Sequence, residues 1–171
     1  RLSEENEIII FEKGEHISFA NCGLPYHIGG VIAERSKLLL HTPTSLKTRY
    51  NLDVRVFNEV LKINKEEKTV EVRNTITKEI HTESYDTLLL SPGAEPFRPG
   101  IPGIDSDKIM TLRNVADMDR IIAKTKNLKN IAVVGGGFIG LEVAENLVEK
   151  GLNVSVIELG NQVMAPVDYE F

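Results

Sequence analysis

This 171-residue sequence contains a single thiol, Cys22. One cysteine cannot form an internal disulfide framework or a cysteine-rich metal site, so Cys22 is either an inert buried thiol or a chemically used one. The histidines are few and scattered. His16, His27, His41 and His81 share no ligand spacing, which argues against a metal centre. His27, five residues after Cys22, reads as a packing or solvent-facing residue rather than a base for the thiol. No apolar run approaches the roughly 18 residues that a membrane span requires, and no charged-then-apolar leader opens the chain. A cytoplasmic protein with no membrane partner is therefore expected. Blocks of Lys and Arg are also missing. The net charge of −5 arises from interspersed acids and bases without aromatic interleaving, which does not indicate a nucleic-acid partner. An initiator Met is absent too, and the chain stops soon after its last strand-like segment, so the sequence reads as a piece of a longer protein.

What remains is ordinary for a globular α/β protein: 42% hydrophobic and 26% charged residues. The run Glu7 to Glu12 predicts a buried parallel strand, and Asn21 to Ile28 a short helix with Asn21 as its N-cap. Thr42 followed by Pro43 predicts the start of a helix reaching Tyr50. Three strand-like segments follow, Asp53 to Asn64, Thr69 to Asn74 and Glu79 to Tyr85, with polar turns that make them an antiparallel β-meander. Thr87 to Leu90 predicts a further buried strand. Pro92, Pro96, Pro99 and Pro102 then mark a stiff linker, and Asn114 to Lys126 predicts a helix. Two domains are expected, residues 1–108 and residues 109–171.

From Asn130 the pattern becomes strand, glycine loop, helix, strand. Ile131 to Val134 runs into Gly135-Gly136-Gly137-Phe138-Ile139-Gly140, a match to G-x-G-x-x-G. In such a loop Gly135 permits the tight turn, Gly137 admits a pyrophosphate to the backbone, and Gly140 lets the helix lie close on the strand. The helix is expected to carry Ile139, Val143 and Leu147 on one face and to take Gly151 as its C-cap, directing its N-terminal amides at phosphates. Glu158 ends the second strand about twenty residues on, where a carboxylate accepts ribose hydroxyls. It also repels a 2′-phosphate, and no Arg or Lys follows closely, so NADH is favoured over NADPH. All four elements in order identify a dinucleotide-binding βαβ unit.

The first strand ends in Glu12, with Lys13 next, in the relation that Glu158 has to its own strand; Glu12 could hold the ribose of a second adenine dinucleotide. Ten residues on, Cys22 at a helix N-terminus would be favoured as thiolate by the helix dipole. The segment Ser18-Phe19-Ala20-Asn21-Cys22-Gly23-Leu24-Pro25-Tyr26, with Ile28-Gly29-Gly30 after it, resembles the active-site segment of the coenzyme A-disulfide reductases. These belong to the single-cysteine branch of the pyridine nucleotide-disulfide oxidoreductases, with the NADH oxidases and NADH peroxidases. The resemblance runs the whole length: Ser91-Pro92-Gly93-Ala94 is similar to a flavin-contacting segment, Leu112-Arg113-Asn114 to one whose Arg lies near the flavin nucleotide, and Gly135 to Glu142 to the NADH motif.

The resemblance implies an incomplete Rossmann-like FAD-binding domain carrying the β-meander, followed by the start of a second Rossmann-like, NAD-binding domain. It implies FAD and NADH as cofactors, and electrons passing from NADH through FAD to a mixed disulfide between Cys22 and coenzyme A. The expected substrate is coenzyme A disulfide or another small thiol disulfide or persulfide. Ser18 and Asn21 would contact the pantetheine arm, and Arg1 and Arg49 the coenzyme A phosphates, although Tyr50 stands where some relatives carry Lys. Glu142 would lie near the nicotinamide or merely complement the helix N-terminus. The resemblance further implies a homodimeric parent of which this chain is about a third, with a strand and glycine loop before Arg1. An oxidase or peroxidase cycling Cys22 through a sulfenic acid, and a non-catalytic dinucleotide-binding fragment, are the alternatives.

Overall fold

The computed structural model describes residue 3 and residues 5–167. In chain order the elements are β1 (Ile9–Glu12), β2 (Ser18–Phe19), a 3₁₀ turn (Asn21–Gly23), α1 (Leu24–Gly29), a second 3₁₀ turn (Arg35–Leu38), β3 (Leu39–His41) and α2 (Pro43–Tyr50). They continue with β4 (Asp53–Val56), β5 (Asn58–Asn64), β6 (Thr69–Asn74), β7 (Ile80–Ser84), α3 (Val115–Thr125), β8 (Asn130–Val134), α4 (Phe138–Glu149) and β9 (Asn153–Ile157). The chain forms two compact units, one of Arg1–Phe19 with Leu39–Ala94 and one of Ala20–Leu38 with Glu95–Phe171.

In the first unit β1 pairs in parallel with β4, Ile9 opposite Asp53 through Glu12 opposite Val56. The strand begins two residues later than its apolar run suggests and is half-buried rather than fully buried. The α2 helix supplies the connection that a parallel pair requires. It is nucleated locally: Thr42 Oγ1 accepts from Ser45 N at 3.1 Å, Thr42 N donates to Ser45 Oγ at 3.0 Å, and Pro43 occupies the first turn.

Asp53 to Asn64 is not one strand of a meander, which corrects the sequence reading. The run breaks at Phe57, whose φ of 57° lies in the left-handed region. Phe57 N donates to Gly14 O at 3.0 Å and its carbonyl accepts from Thr75 N at 2.7 Å, so both faces of the break are tied down. Thus β4 joins β1, and β5 starts the antiparallel sheet β5-β6-β7. A bulge between Val60 and Lys62 shifts the β5–β6 register. On the central strand Val70 and Val72 point to one face and are buried, as period-two alternation requires. A short antiparallel pair, β2 with β3, has no counterpart in the sequence reading. Thr87 to Leu90, expected as a strand, is irregular, and Leu89 and Leu90 are exposed. An apolar run becomes a buried strand only where a neighbour completes its ladder, and among the described residues none does.

In the second unit β8 and β9 pair in parallel, Asn130 opposite Asn153 through Val134 opposite Ile157, connected by α4. Helices α1, α3 and α4 share a core of Leu24, Ile28, Val115, Met118, Ile121, Ala144 and Leu147. Fully burying side chains such as Ile28, Met118 and Leu147 contributes about 1.5–3 kcal/mol each. Asn114 caps α3, its Oδ1 accepting from Asp117 N at 2.9 Å. Arg35 clasps Asp119 with two parallel bonds, Nε to Oδ1 at 3.0 Å and an Nη to Oδ2 at 2.8 Å, which tethers the second 3₁₀ turn to α3.

Two details of α4 differ from the sequence reading. Ile139 is 62% exposed, and the buried face is set by Ala144, Asn146 and Leu147, because α4 must face both its own strands and α1. Gly151, at φ 90°, is the residue after the C-cap Lys150. Gly151 N donates to Val148 O at 2.8 Å and Leu152 N to Leu147 O at 3.1 Å, the paired closure of a Schellman motif.

Candidate functional site

The glycine loop is built from backbone geometry. Gly135 adopts φ 101°, a conformation costly for any side chain, and its N–H donates to Ile157 O at 2.8 Å, stitching the turn to β9. At Gly140 a Cβ would lie 2.0 Å from Gly135 O, so the first turn of α4 can rest on the loop only without a side chain there. Gly137 is the N-cap of α4, and no side chain caps it. The space that a Cβ would take at Gly137 is open. Phe138, Ile139 and Gly140 thus begin a helix whose first N–H groups have no intrahelical acceptor, and an anion can approach the loop at Gly137 without meeting a side chain. These residues fit a dinucleotide pyrophosphate.

Glu158 closes the loop from the far side. Its Oε2 accepts from Gly136 N at 2.6 Å and its Oε1 from Gly160 N at 2.8 Å. The Gly160 N–H, then the Gly136 N–H, hold the carboxyl below the usual carboxylate range, because both bonds favour the charged form. A carboxylate has about four lone-pair sites, so acceptor capacity remains for sugar hydroxyls. The segment after β9 folds back on the loop: Met164 N donates to Gly136 O at 2.8 Å, and a Cβ at Gly136 would meet Val163 at 2.7 Å. Glu142 is the fifth residue of α4, just beyond its first turn, and its backbone carbonyl accepts from Asn146 Nδ2 at 2.8 Å.

Cys22 is exposed in the 3₁₀ turn that leads into α1. Asn21 does not cap the helix. It lies within the turn, and the residue before the turn, Ala20, has no side-chain hydrogen bond. The turn is held by backbone bonds, Gly23 N to Ala20 O at 2.9 Å and Ala20 N to Leu38 O at 2.8 Å. The helix expected to favour the thiolate through its dipole is only six residues long. His27 Nδ1 donates to Ile32 O at 2.5 Å, since a carbonyl only accepts; the ring therefore ties down the chain after α1. Both Cys22 and the glycine loop belong to the second unit, as does Arg113, whose guanidinium pairs with Glu95 and whose N–H donates to Asp117 Oδ2 at 3.1 Å.

The first unit holds the remaining candidates. Glu12 ends β1, and its Oε1 accepts from Gly14 N at 2.6 Å, the same bond to the residue two positions on that Glu158 makes to Gly160. Lys13 follows at the surface, its carbonyl accepting from Thr75 Oγ1 at 3.5 Å. Ser18 is half-buried in β2, opposite His41. Arg49 is exposed near the end of α2, its guanidinium 5.2 Å from the Tyr50 ring centroid. Ser91, Pro92, Gly93 and Ala94 are exposed, with Gly93 at φ 70°. Arg1 lies outside the described residues. Among the described residues no group of His, Cys, Asp and Glu could hold a metal ion, and no helix is long and apolar enough to cross a membrane.

Asn146, Lys150 and Val163 also shape this unit, and sequence reasoning passed over them, while Gly29 was read only as part of the segment Ile28-Gly29-Gly30. Asn146 was detectable as the lone polar residue on the apolar face of α4, between Val143 and Leu147.

Comparison with known proteins places this geometry. The coenzyme A disulfide reductase of Staphylococcus aureus (strain JH9) is 42% identical over 170 residues, 98% of this chain and 38% of the relative, so the chain spans well under half the length of that protein. The crystal structure of reduced Bacillus anthracis CoADR-RHD superposes with a TM-score of 0.97 at 57% identity, covering 99% of this chain and 31% of that one. The water-forming NADH oxidase of Lactobacillus brevis bound to NADH superposes with a TM-score of 0.90 at 35% identity, covering 94% and 36%. The family model for pyridine nucleotide-disulphide oxidoreductase matches residues 1–171, and the chain belongs to that family.

Proposed function

We propose that this chain is part of an NADH-dependent flavoprotein that reduces coenzyme A disulfide, or a related small disulfide or persulfide, through Cys22. The observation that carries the reading is the exposed single cysteine in a backbone-held turn, within the same compact unit as a fitted glycine loop. The identity to a coenzyme A disulfide reductase supports it. Residues 1–108 would belong to the FAD-binding domain and residues 109–171 to the start of the NADH-binding domain. The parent is proposed to be cytoplasmic and homodimeric.

NADH supplies a hydride when bound, and FAD relays the two electrons towards the thiol. Gly135, Gly137 and Gly140 with the first amides of α4 would hold the NADH pyrophosphate, and Glu158 its ribose; the carboxylate disfavours a 2′-phosphate and so selects NADH over NADPH. Glu12, Lys13, Ser91 to Ala94 and Arg113 would face FAD. Ser18, Asn21 and Arg49, with Arg1, would bind the coenzyme A arm and phosphates. The Cys22 thiolate attacks one sulfur of the substrate disulfide, the S–S bond breaks, and one coenzyme A leaves as thiolate and takes a proton. Cys22 is then in mixed disulfide with the second coenzyme A, and two electrons cleave that bond to return the Cys22 thiolate and free the second thiol.

The test is an anaerobic assay of the full-length flavoprotein with NADH and coenzyme A disulfide, counting thiols released. Two thiols per NADH are expected. NADH consumption that proceeds only with oxygen or peroxide would instead support the second reading, an oxidase or peroxidase, which the likeness to the Lactobacillus brevis NADH oxidase favours.

A further inference from the structure

Cys22 sits in a three-residue 3₁₀ turn that runs directly into α1, and neither element is long enough to position itself. The α1 helix has six residues, fewer than an isolated helix needs to persist in water. Its place is set by what packs on it, namely α3 and α4. At the far end of α1 the packing is unusually close. A Cβ built on Gly29 would lie 2.4 Å from Asn146 Oδ1, 2.8 Å from Asn146 Cβ and 3.0 Å from Asn146 Cγ. The space beside Gly29 where a side chain would stand is therefore filled by the Asn146 side chain, with Oδ1 nearest.

Asn146 is 1% exposed, and its Nδ2 donates to Glu142 O one turn back on α4. Its Oδ1 is buried without a conventional hydrogen-bond partner. A buried acceptor left in this state is costly, and the structure offers one compensation, the seat it forms for Gly29. One turn further along α4, Lys150 Nζ donates to Ile28 O at 3.0 Å, which satisfies a terminal carbonyl of α1. Gly30, at φ 92°, ends α1 with its N–H on His27 O at 3.1 Å. The cysteine end is equally constrained: a Cβ at Gly23 would lie 2.6 Å from Leu38 Cδ2.

We propose that Gly29, Asn146 and Lys150 form a latch that fixes on α4 the helix that follows the Cys22 turn, and that Asn146 is a positioning residue for the thiol. The proposal rests on the reading that Cys22 is the redox residue and that α4 carries the dinucleotide loop. The latch lies in the second half of α4, away from the glycine loop at its N-terminus. Disturbing it should displace the thiol while leaving nucleotide binding intact.

The experiment uses the full-length flavoprotein with three variants: Asn146→Ala, which hollows the seat; Gly29→Ala, which overfills it; and Gly29→Ala/Asn146→Gly, which transfers the small residue to α4. Flavin reduction by NADH and flavin reoxidation by coenzyme A disulfide are timed separately under anaerobic conditions. For Gly29→Ala the disulfide step should slow by about tenfold or more, because small misplacements of a reacting group carry large rate penalties. The NADH step and the KM for NADH should stay within about twofold of wild type. Asn146→Ala should show the same split to a smaller degree, and the double variant should recover most of the lost disulfide rate. The proposal is overturned if the Gly29→Ala protein retains a wild-type disulfide step, if both steps fall together, or if the double variant shows no recovery beyond Gly29→Ala alone. A separate readout distinguishes failure of the underlying functional reading: hydrogen exchange of the α1 amides in the present 171-residue chain. Exchange should be faster in Asn146→Ala, whichever reaction the parent performs, and unchanged exchange would dismiss the latch.

Discussion

Glu158 and Gly136 lie 22 residues apart in sequence, yet the carboxylate Oε2 accepts the loop N–H at 2.6 Å. The residue that would hold a ribose is therefore already part of the loop that would hold the phosphates.

This bond has a pH dependence of definite sign. The Gly160 and Gly136 N–H groups lower the pKa of the folded Glu158 carboxyl below its ordinary value. The contribution is thus fully present above the ordinary carboxylate pKa and is lost as pH falls through the lower, folded value. In an NMR titration from about pH 6 to about pH 3 the Gly136 and Gly160 amides should shift together, with a midpoint below that of an unperturbed glutamate. Independent midpoints for the two amides would show that they do not report on one carboxyl.

Replacing Glu158 by Ala or Arg should reduce the preference for NADH over NADPH in the full-length flavoprotein. The change removes a ribose acceptor and the repulsion of a 2′-phosphate together, and a shift of about tenfold in the ratio of kcat/KM is expected. A wild-type protein that favours NADPH would remove the basis for this assignment.

Gly140→Ala places a Cβ 2.0 Å from the Gly135 carbonyl oxygen, a backbone atom, so no side-chain rearrangement relieves the overlap. The expected loss is about 1–3 kcal/mol of stability, seen as a lower melting temperature of the 171-residue chain, together with weaker NADH binding by the flavoprotein. An unchanged melting temperature would mean that the loop relaxes more easily than its geometry implies.

Cys22→Ser should abolish disulfide reduction while leaving flavin bound and reducible by NADH. The serine hydroxyl stays protonated at neutral pH and cannot form a mixed disulfide, so electrons stop at the flavin. Intact mass of the wild-type protein should show coenzyme A attached to about one thiol and released by reductant. Near wild-type turnover by the serine variant would reduce Cys22 to a packing residue.

Local rules made much of this protein legible. The capping box at Thr42 and Ser45, Asn114 at the head of α3, the turns between β5, β6 and β7, and the run from Asn130 to Glu158 each follow from neighbours within a few residues or from one strand-loop-helix unit. The partners of those elements were decided elsewhere. Asp53 to Val56 has the composition of a meander strand but pairs with β1, because Phe57 breaks the run and its backbone is bonded to Gly14 and Thr75. Ile139 fits the apolar period of α4 yet is exposed, while Asn146, polar by composition, is buried against Gly29. Periodicity marks an apolar face, but only the packing of α1, β8 and β9 on α4 decides which of its residues lose water, since burial is a property of neighbours distant in sequence. The glycine loop, the strand-end carboxylates and the lone thiol were therefore legible from the residues alone, because their chemistry is local. How the six-residue helix that follows that thiol is held was settled only by packing, because its contacts reach across more than a hundred residues, 122 from Ile28 to Lys150.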